Sequence, residues 1–108
     1  MADLPEYTDS DFQSEVLEST KPVFVDFWGP GCMPCQMIAP VIAELAAENA
    51  DTMKFAKMNV VDCPQTAMKY AIDGVPTLMI FKDGDPVETF VGLRPKNVLQ
   101  TAIDGLLA

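Results

Sequence analysis

The sequence predicts an α/β fold in which helices cover both faces of a mixed sheet. Three observations predict it. The run Val23-Phe24-Val25-Asp26-Phe27-Trp28 is β-branched and aromatic. It is too short for a helix and apolar on both faces, which is how a central strand covered on both sides reads. Around it, strand and helix patterns alternate, and that alternation suggests parallel pairing. Later, Lys82-Asp83-Gly84-Asp85 joins two apolar runs through an Asp-Gly turn, which adds antiparallel strands.

The elements follow in order. A strand near 3–8 is conceivable, but Pro5 would confine it to an edge. Thr8 and Asp11 have capping-box spacing, and Phe12, Val16 and Leu17 then give one apolar stripe, so a helix is expected near 9–19. The acids of the first twenty residues read mostly as its solvated face. Gly29-Pro30-Gly31 breaks the strand at 23–28. A helix follows from the first cysteine pair to about Glu48, with Ile38, Val41, Ile42, Leu45 and Ala46 recurring at threes and fours. Pro40 inside it should kink it. A strand is expected over Met53–Met58, and a short helix from Asp62-Cys63-Pro64 to Tyr70. Thr77–Phe81 and Val87–Val91 read as the two hairpin strands. Pro95 opens a last helix whose buried stripe is Val98, Leu99, Ala102, Ile103 and Leu106.

Composition narrows the function. The 108 residues suggest a single domain spanning 1–108, and 49% apolar against 21% charged is a globular balance. Such a chain buries roughly two-thirds of its unfolded surface and needs no staple to fold. A net charge of −9 argues against a broad basic face for nucleic acid or anionic membrane. There is no histidine, so Ser-His-Asp triads, Cys-His pairs, mixed Cys/His zinc sites and His-ligated haem are excluded. Three cysteines cannot alone complete a four-thiolate site, so no metal is expected. No run approaches the ~18 apolar residues of a membrane span. The acidic N-terminus lacks a signal-peptide core, and the odd cysteine count fits a reducing cytoplasm.

Chemistry concentrates at Cys32-Met33-Pro34-Cys35, where an apolar strand gives way to a helix. Cys-x-x-Cys in a βαβ context is a redox signature. Two intervening residues let one helical turn bring the sulfurs within disulfide reach. Pro34 suits a first turn, where a missing N–H costs nothing. Cys32 faces unpaired N–H groups and the positive end of the helix dipole, which favour its thiolate. Cys35 lies one turn deeper, so Cys32 should attack and Cys35 resolve. The competing readings are half a zinc site, for which the chain has neither histidine nor a second cysteine pair, and two packing cysteines. Alternation also puts Asp26 on a buried strand face, where lost hydration should raise its pKa.

Several stretches, in order, are similar to the thioredoxin family over nearly the whole chain: VFVDFW (23–28), CMPCQMIAP (32–40), FAKMNVVDCP (55–64), YAIDGVPTLMIFKDG (70–84) and VGLRPKNVLQ (91–100). The resemblance implies a thioredoxin-like fold, a central mixed sheet of four to five strands flanked by four helices. It implies dithiol–disulfide exchange on disulfide-containing protein substrates, with no cofactor beyond the Cys32–Cys35 pair. Electrons would come from an NADPH-dependent thioredoxin reductase. By the same resemblance, Asp26 helps move the proton of Cys35, and Lys57 is its partner or a purely structural lysine. Pro76 is cis beside the disulfide, Gly92 lets substrate approach, and Trp28 packs beneath the redox loop. Trp28, Met33, Pro34, Val75, Pro76 and Gly92 would line a shallow docking surface on a monomer.

The chain departs from the usual Trp-Cys-Gly-Pro-Cys-Lys at Gly31, Met33 and Gln36. Losing the cation at 36 should weaken the Cys32 thiolate and make the dithiol a stronger reductant. Cys63, the odd cysteine, reads as a small helix-cap residue or, alternatively, as a regulatory third thiol. The expected activity is protein-disulfide reduction. A thiol oxidase or isomerase, and a binding module with incidental cysteines, are the alternatives.

Overall fold

In the computed structural model, which describes residues 4–107, the apolar run forms β1 (Val23–Trp28) in the interior of a sheet. Its partners are β2 (Lys54–Asn59), parallel to it, and β3 (Thr77–Lys82), antiparallel. β4 (Asp85–Val91) completes the order β2-β1-β3-β4. The helices are α1 (Asp9–Phe12), α2 (Met33–Glu48), α3 (Pro64–Lys69) and α4 (Lys96–Leu107).

β1 is buried on both faces because each face meets a separate apolar layer. Val23, Val25 and Phe27 pack with Phe12, Val16, Met79 and Phe81 under α1 and α3. Phe24 packs with Ile38, Ile42, Leu45, Leu99 and Ile103 under α2 and α4. Pro40 lacks the N–H that a helix interior uses, yet α2 continues through it to Glu48. Asp83 (φ 53°) and Gly84 (φ 83°) make the turn between β3 and β4, the left-handed pair that a two-residue hairpin requires.

Three expectations need correction. The possible first strand is only a bridge. Lys57 N–H donates to the Pro5 carbonyl and Tyr7 N–H to the Lys57 carbonyl, both at 2.9 Å. Pro5 has no N–H of its own to offer, and the Thr8 N–H is taken by the Asp11 carboxylate at 2.9 Å. Among the described residues the sheet therefore has four strands; residue 3 of the expected strand lies outside them. The first helix ends early, with a π-helical turn over Gln13–Leu17 closed by Glu18 N–H on the Gln13 carbonyl. Val98 is 39% exposed, since α4 meets the sheet through Leu99 and Ile103 alone among its fully buried residues. Cys63 occupies the N-cap of α3, as expected for a small cap residue, although its side chain makes no capping hydrogen bond.

That cap comes from another element. The Asp9 carboxylate accepts the N–H groups of Gln65 (3.1 Å) and Thr66 (2.9 Å) and the Thr66 hydroxyl (2.6 Å). Partial burial pushes its pKa up, but these bonds outweigh that and hold it below the usual carboxylate value. Asp9→Ala is expected to cost about 1–2 kcal/mol at neutral pH. A depressed folded pKa means the contribution is present above the unfolded value and lost as pH falls through the folded one. Urea unfolding of both proteins at pH 7 and pH 3 should show the gap shrinking.

Ala71 follows α3 with φ 54°, a left-handed conformation that a Cβ disfavours. Ala71→Gly is expected to raise stability by about 0.5–1 kcal/mol, the relieved strain exceeding glycine's entropic cost. A higher urea midpoint with unchanged slope would register it.

Candidate redox site

The site forms where β1 ends and α2 begins. Cys32 is the N-cap of α2, with extended backbone (φ −91°, ψ 105°), and its Sγ accepts the Cys35 N–H at 3.1 Å. The two cysteines are joined in a disulfide with Cα atoms 5.3 Å apart. One helical turn thus places both sulfurs together and aims an unpaired N–H of the helix start at the outer one. Cys32 is partly exposed, Cys35 is buried, and Met33 between them is 65% exposed. An attacking group from outside meets Cys32 first.

The other wall comes from the loop before β3. The Val75–Pro76 bond is cis, and the Val75 carbonyl oxygen lies 3.7 Å from Cys32 Sγ. The Pro76 carbonyl accepts the Gly92 N–H at 2.8 Å, which ties this loop to the end of β4. Gly92 has φ 89°, so glycine suits this position. The structure therefore gathers Cys32, Met33, Pro34, Val75, Pro76 and Gly92 around the disulfide. Val91, next to Gly92, adds apolar surface at 55% exposure.

Asp26 is 3% exposed, and its Oδ1 has no hydrogen-bond partner. Burial pushes its pKa to about 7; the Lys57 charge opposes the rise and Glu6 adds to it. Lys57 is the register partner of Asp26 on β2, but the expected Asp26–Lys57 pair does not form. Lys57 Nζ instead lies 3.8 Å from Glu6 Oε1. The exposed acid leaves the lysine closer to water, so less desolvation is needed than for a pair in the core. Trp28 is held in the same cluster: its Nε1–H donates to Glu6 Oε2 at 3.0 Å, and Lys57 Nζ sits 5.8 Å from its ring centre. Glu6, Trp28, Lys57 and Cys35 line a cavity of about 260 Å³.

Glu6 is the residue the sequence did not single out. Its only signal is membership of an acidic stretch, because its place depends on pairing with Lys57 far along the chain. Cys63 stands apart from the site. It is 1% exposed, and its Sγ donates to the Tyr7 carbonyl at 3.5 Å. Burial pushes its thiol pKa up, and Asp9, Asp62 and Glu6 add to the shift. That environment disfavours the thiolate that a regulatory role would need. Among the described residues, no cluster of three or more Cys, Asp or Glu side chains is placed to hold a metal ion, and no helix is long and apolar enough to cross a membrane.

Comparison with known proteins agrees with this geometry. The family model described as thioredoxin matches residues 3–105. Thioredoxin 1 of Synechococcus elongatus is 50% identical over 97 residues, 90% of this chain and 91% of the relative. Thioredoxin 1 of Nostoc sp. is 45% identical over 104 residues, 96% of this chain and 97% of the relative. The chloroplastic M-type thioredoxin of Brassica napus is 44% identical over 104 residues, 96% of this chain and 59% of the relative.

Proposed function

The chain belongs to the thioredoxin family and is a thiol–disulfide oxidoreductase of the protein-disulfide reductase type, and we propose that its turnover runs through Cys32, Cys35 and Asp26. The observation that carries this reading is the Cys32–Cys35 disulfide with its outer sulfur on the first turn of α2. In the reduced protein, the Cys32 thiolate attacks one sulfur of a substrate disulfide. A Cys32–substrate bond forms, the substrate S–S bond breaks, and the other substrate sulfur leaves as thiolate. Cys35 then gives its proton to Asp26, directly or through water in the adjoining cavity. The Cys35 thiolate attacks Cys32 Sγ, the mixed disulfide breaks, and the second substrate sulfur leaves with its electron pair. Two electrons have moved from the dithiol to the substrate.

Substrates are proteins carrying accessible disulfides. They dock on the apolar rim of Met33, Pro34, Val75, Pro76 and Gly92, with Trp28 bracing the loop from behind. A short backbone pairing beside Pro76 would hold an extended substrate segment. No organic cofactor or metal takes part, and an NADPH-dependent flavin reductase restores the dithiol. The protein acts as a monomer in the cytoplasm. A buried, unpaired Cys63 supports a reducing compartment, and the acidic charge disfavours nucleic acid as a partner. Insulin reduction driven by dithiothreitol, set beside refolding of scrambled ribonuclease, tests the direction of exchange. Fast insulin precipitation with weak refolding activity is expected; the reverse would mark an oxidase or isomerase.

A further inference from the structure

Glu6, Lys57 and Asp26 stand in one row across the sheet. The N-terminal bridge sets Glu6 beside Lys57, and β2 sets Lys57 beside Asp26. Residues directly opposite on neighbouring strands share a face. The lysine thus has a carboxylate on either side and sits closer to the outer one, 3.8 Å from Glu6 Oε1. The second Glu6 oxygen is engaged by Trp28 Nε1–H at 3.0 Å. The inner carboxylate is left buried with Oδ1 unpartnered. The triangle of Glu6, Lys57 and Trp28 forms one wall of the cavity that reaches Cys35.

We propose that Glu6 is a positioning residue for the resolving step: it draws the Lys57 ammonium toward the rim and fixes the Trp28 indole, so that Asp26 stays unpaired as the acceptor of the Cys35 proton. The proposal rests on the roles given above to Cys35 and Asp26. The charged groups acting on Asp26 are Lys57 from β2 and Glu6 from the N-terminal segment. On its other side, β3 offers apolar Leu78, and α2 brings Cys35 to the cavity that Glu6, Trp28 and Lys57 also line. Were Lys57 to close on Asp26, the carboxylate would be stabilised and become a weaker base. Glu6 opposes that by competing for the same ammonium. Both contacts depend on backbone register, since Lys57 hydrogen-bonds to the residues on either side of Glu6.

Glu6→Gln keeps an oxygen for the Trp28 N–H but removes the charge that holds Lys57. The Asp26 carboxyl would be followed by carbon NMR against pH in the wild-type protein, in Glu6→Gln, and in both backgrounds with Lys57→Met. Resolution of a trapped mixed disulfide would be timed across the same pH range. Glu6→Gln is expected to lower the Asp26 midpoint by about 0.5–1 pH unit and to move the resolution profile with it. In the Lys57→Met background the same substitution should move the midpoint less than half as far, because the lysine carries the effect. A midpoint that stays within about 0.2 unit in Glu6→Gln, or that moves equally with and without Lys57, would overturn the proposal. If insulin is still reduced in that case, only the role of Glu6 falls. If Asp26→Asn leaves resolution unchanged, the reading of Asp26 itself falls.

Discussion

Cys32→Ser should abolish insulin reduction, lowering turnover by at least about 10³-fold, since a serine hydroxyl is not ionised at neutral pH and cannot replace a thiolate nucleophile. Cys35→Ser should fail differently. Cys32 remains at the first turn of α2, so the first attack proceeds and the product stalls as a mixed disulfide. The two variants therefore separate the half-reactions. Mass spectrometry after one equivalent of a disulfide substrate should find an adduct on Cys35→Ser and none on Cys32→Ser. Adducts on Cys63 in place of Cys32 would contradict this order of attack. The structure argues against them, because Cys63 is buried and its thiol is held protonated.

Asp26→Asn should give the largest change in stability, with a pH dependence that identifies its origin. The folded pKa of about 7 lies above the ordinary value of 3.8. Between those two values the folded protein holds a proton that the unfolded chain has released. Stability therefore falls as pH rises through that window, and the cost of the buried charge is fully present above it. Replacing the carboxyl with an amide removes the charge. Relative to wild type, Asp26→Asn should gain about 2–4 kcal/mol between pH 4 and pH 8. Urea unfolding at the two ends of the range measures it, and a constant difference would show that Asp26 does not titrate in the folded protein. The same variant should slow release of the mixed disulfide by about 10²-fold at neutral pH. That deficit should shrink in alkali, where solvent removes the Cys35 proton.

What the sequence made legible was local. The run at 23–28 carries its own burial on both faces, Asp83-Gly84 carries its own turn, and the Cys-x-x-Cys spacing carries its own disulfide. The cis bond at Val75–Pro76 followed from family resemblance, because local pattern does not distinguish the two isomers at one proline. What stayed hidden was set by contacts between distant segments. Asp9 caps a helix that begins far along the chain, so no local capping pattern marks it. Lys57 was placed beside Asp26 correctly, yet the carboxylate it meets is Glu6, whose location depends on a single bridge. The π-helical turn at Gln13–Leu17 escaped because stripes at threes and fours do not register a wider turn. Val98 fits the periodic stripe of α4 but lies at the edge of that arc, 39% exposed beside the fully buried Leu99.

Of the departures at Gly31, Met33 and Gln36, the last is expected to bear on the potential of the site. The Cys35 N–H still supports the Cys32 sulfur, while the side chain at 36 adds no positive charge. A less stabilised thiolate makes the disulfide form relatively more favourable. The most direct test is a redox titration in dithiothreitol buffers, with free thiols alkylated at each potential and weighed by mass. A single two-electron transition is expected, in which Cys32 and Cys35 protect each other together, with a midpoint at or below the value of about −270 mV typical of thioredoxins. Two cysteines that remain alkylated at every potential, or a midpoint near the roughly −120 mV of a strong oxidant, would contradict the account.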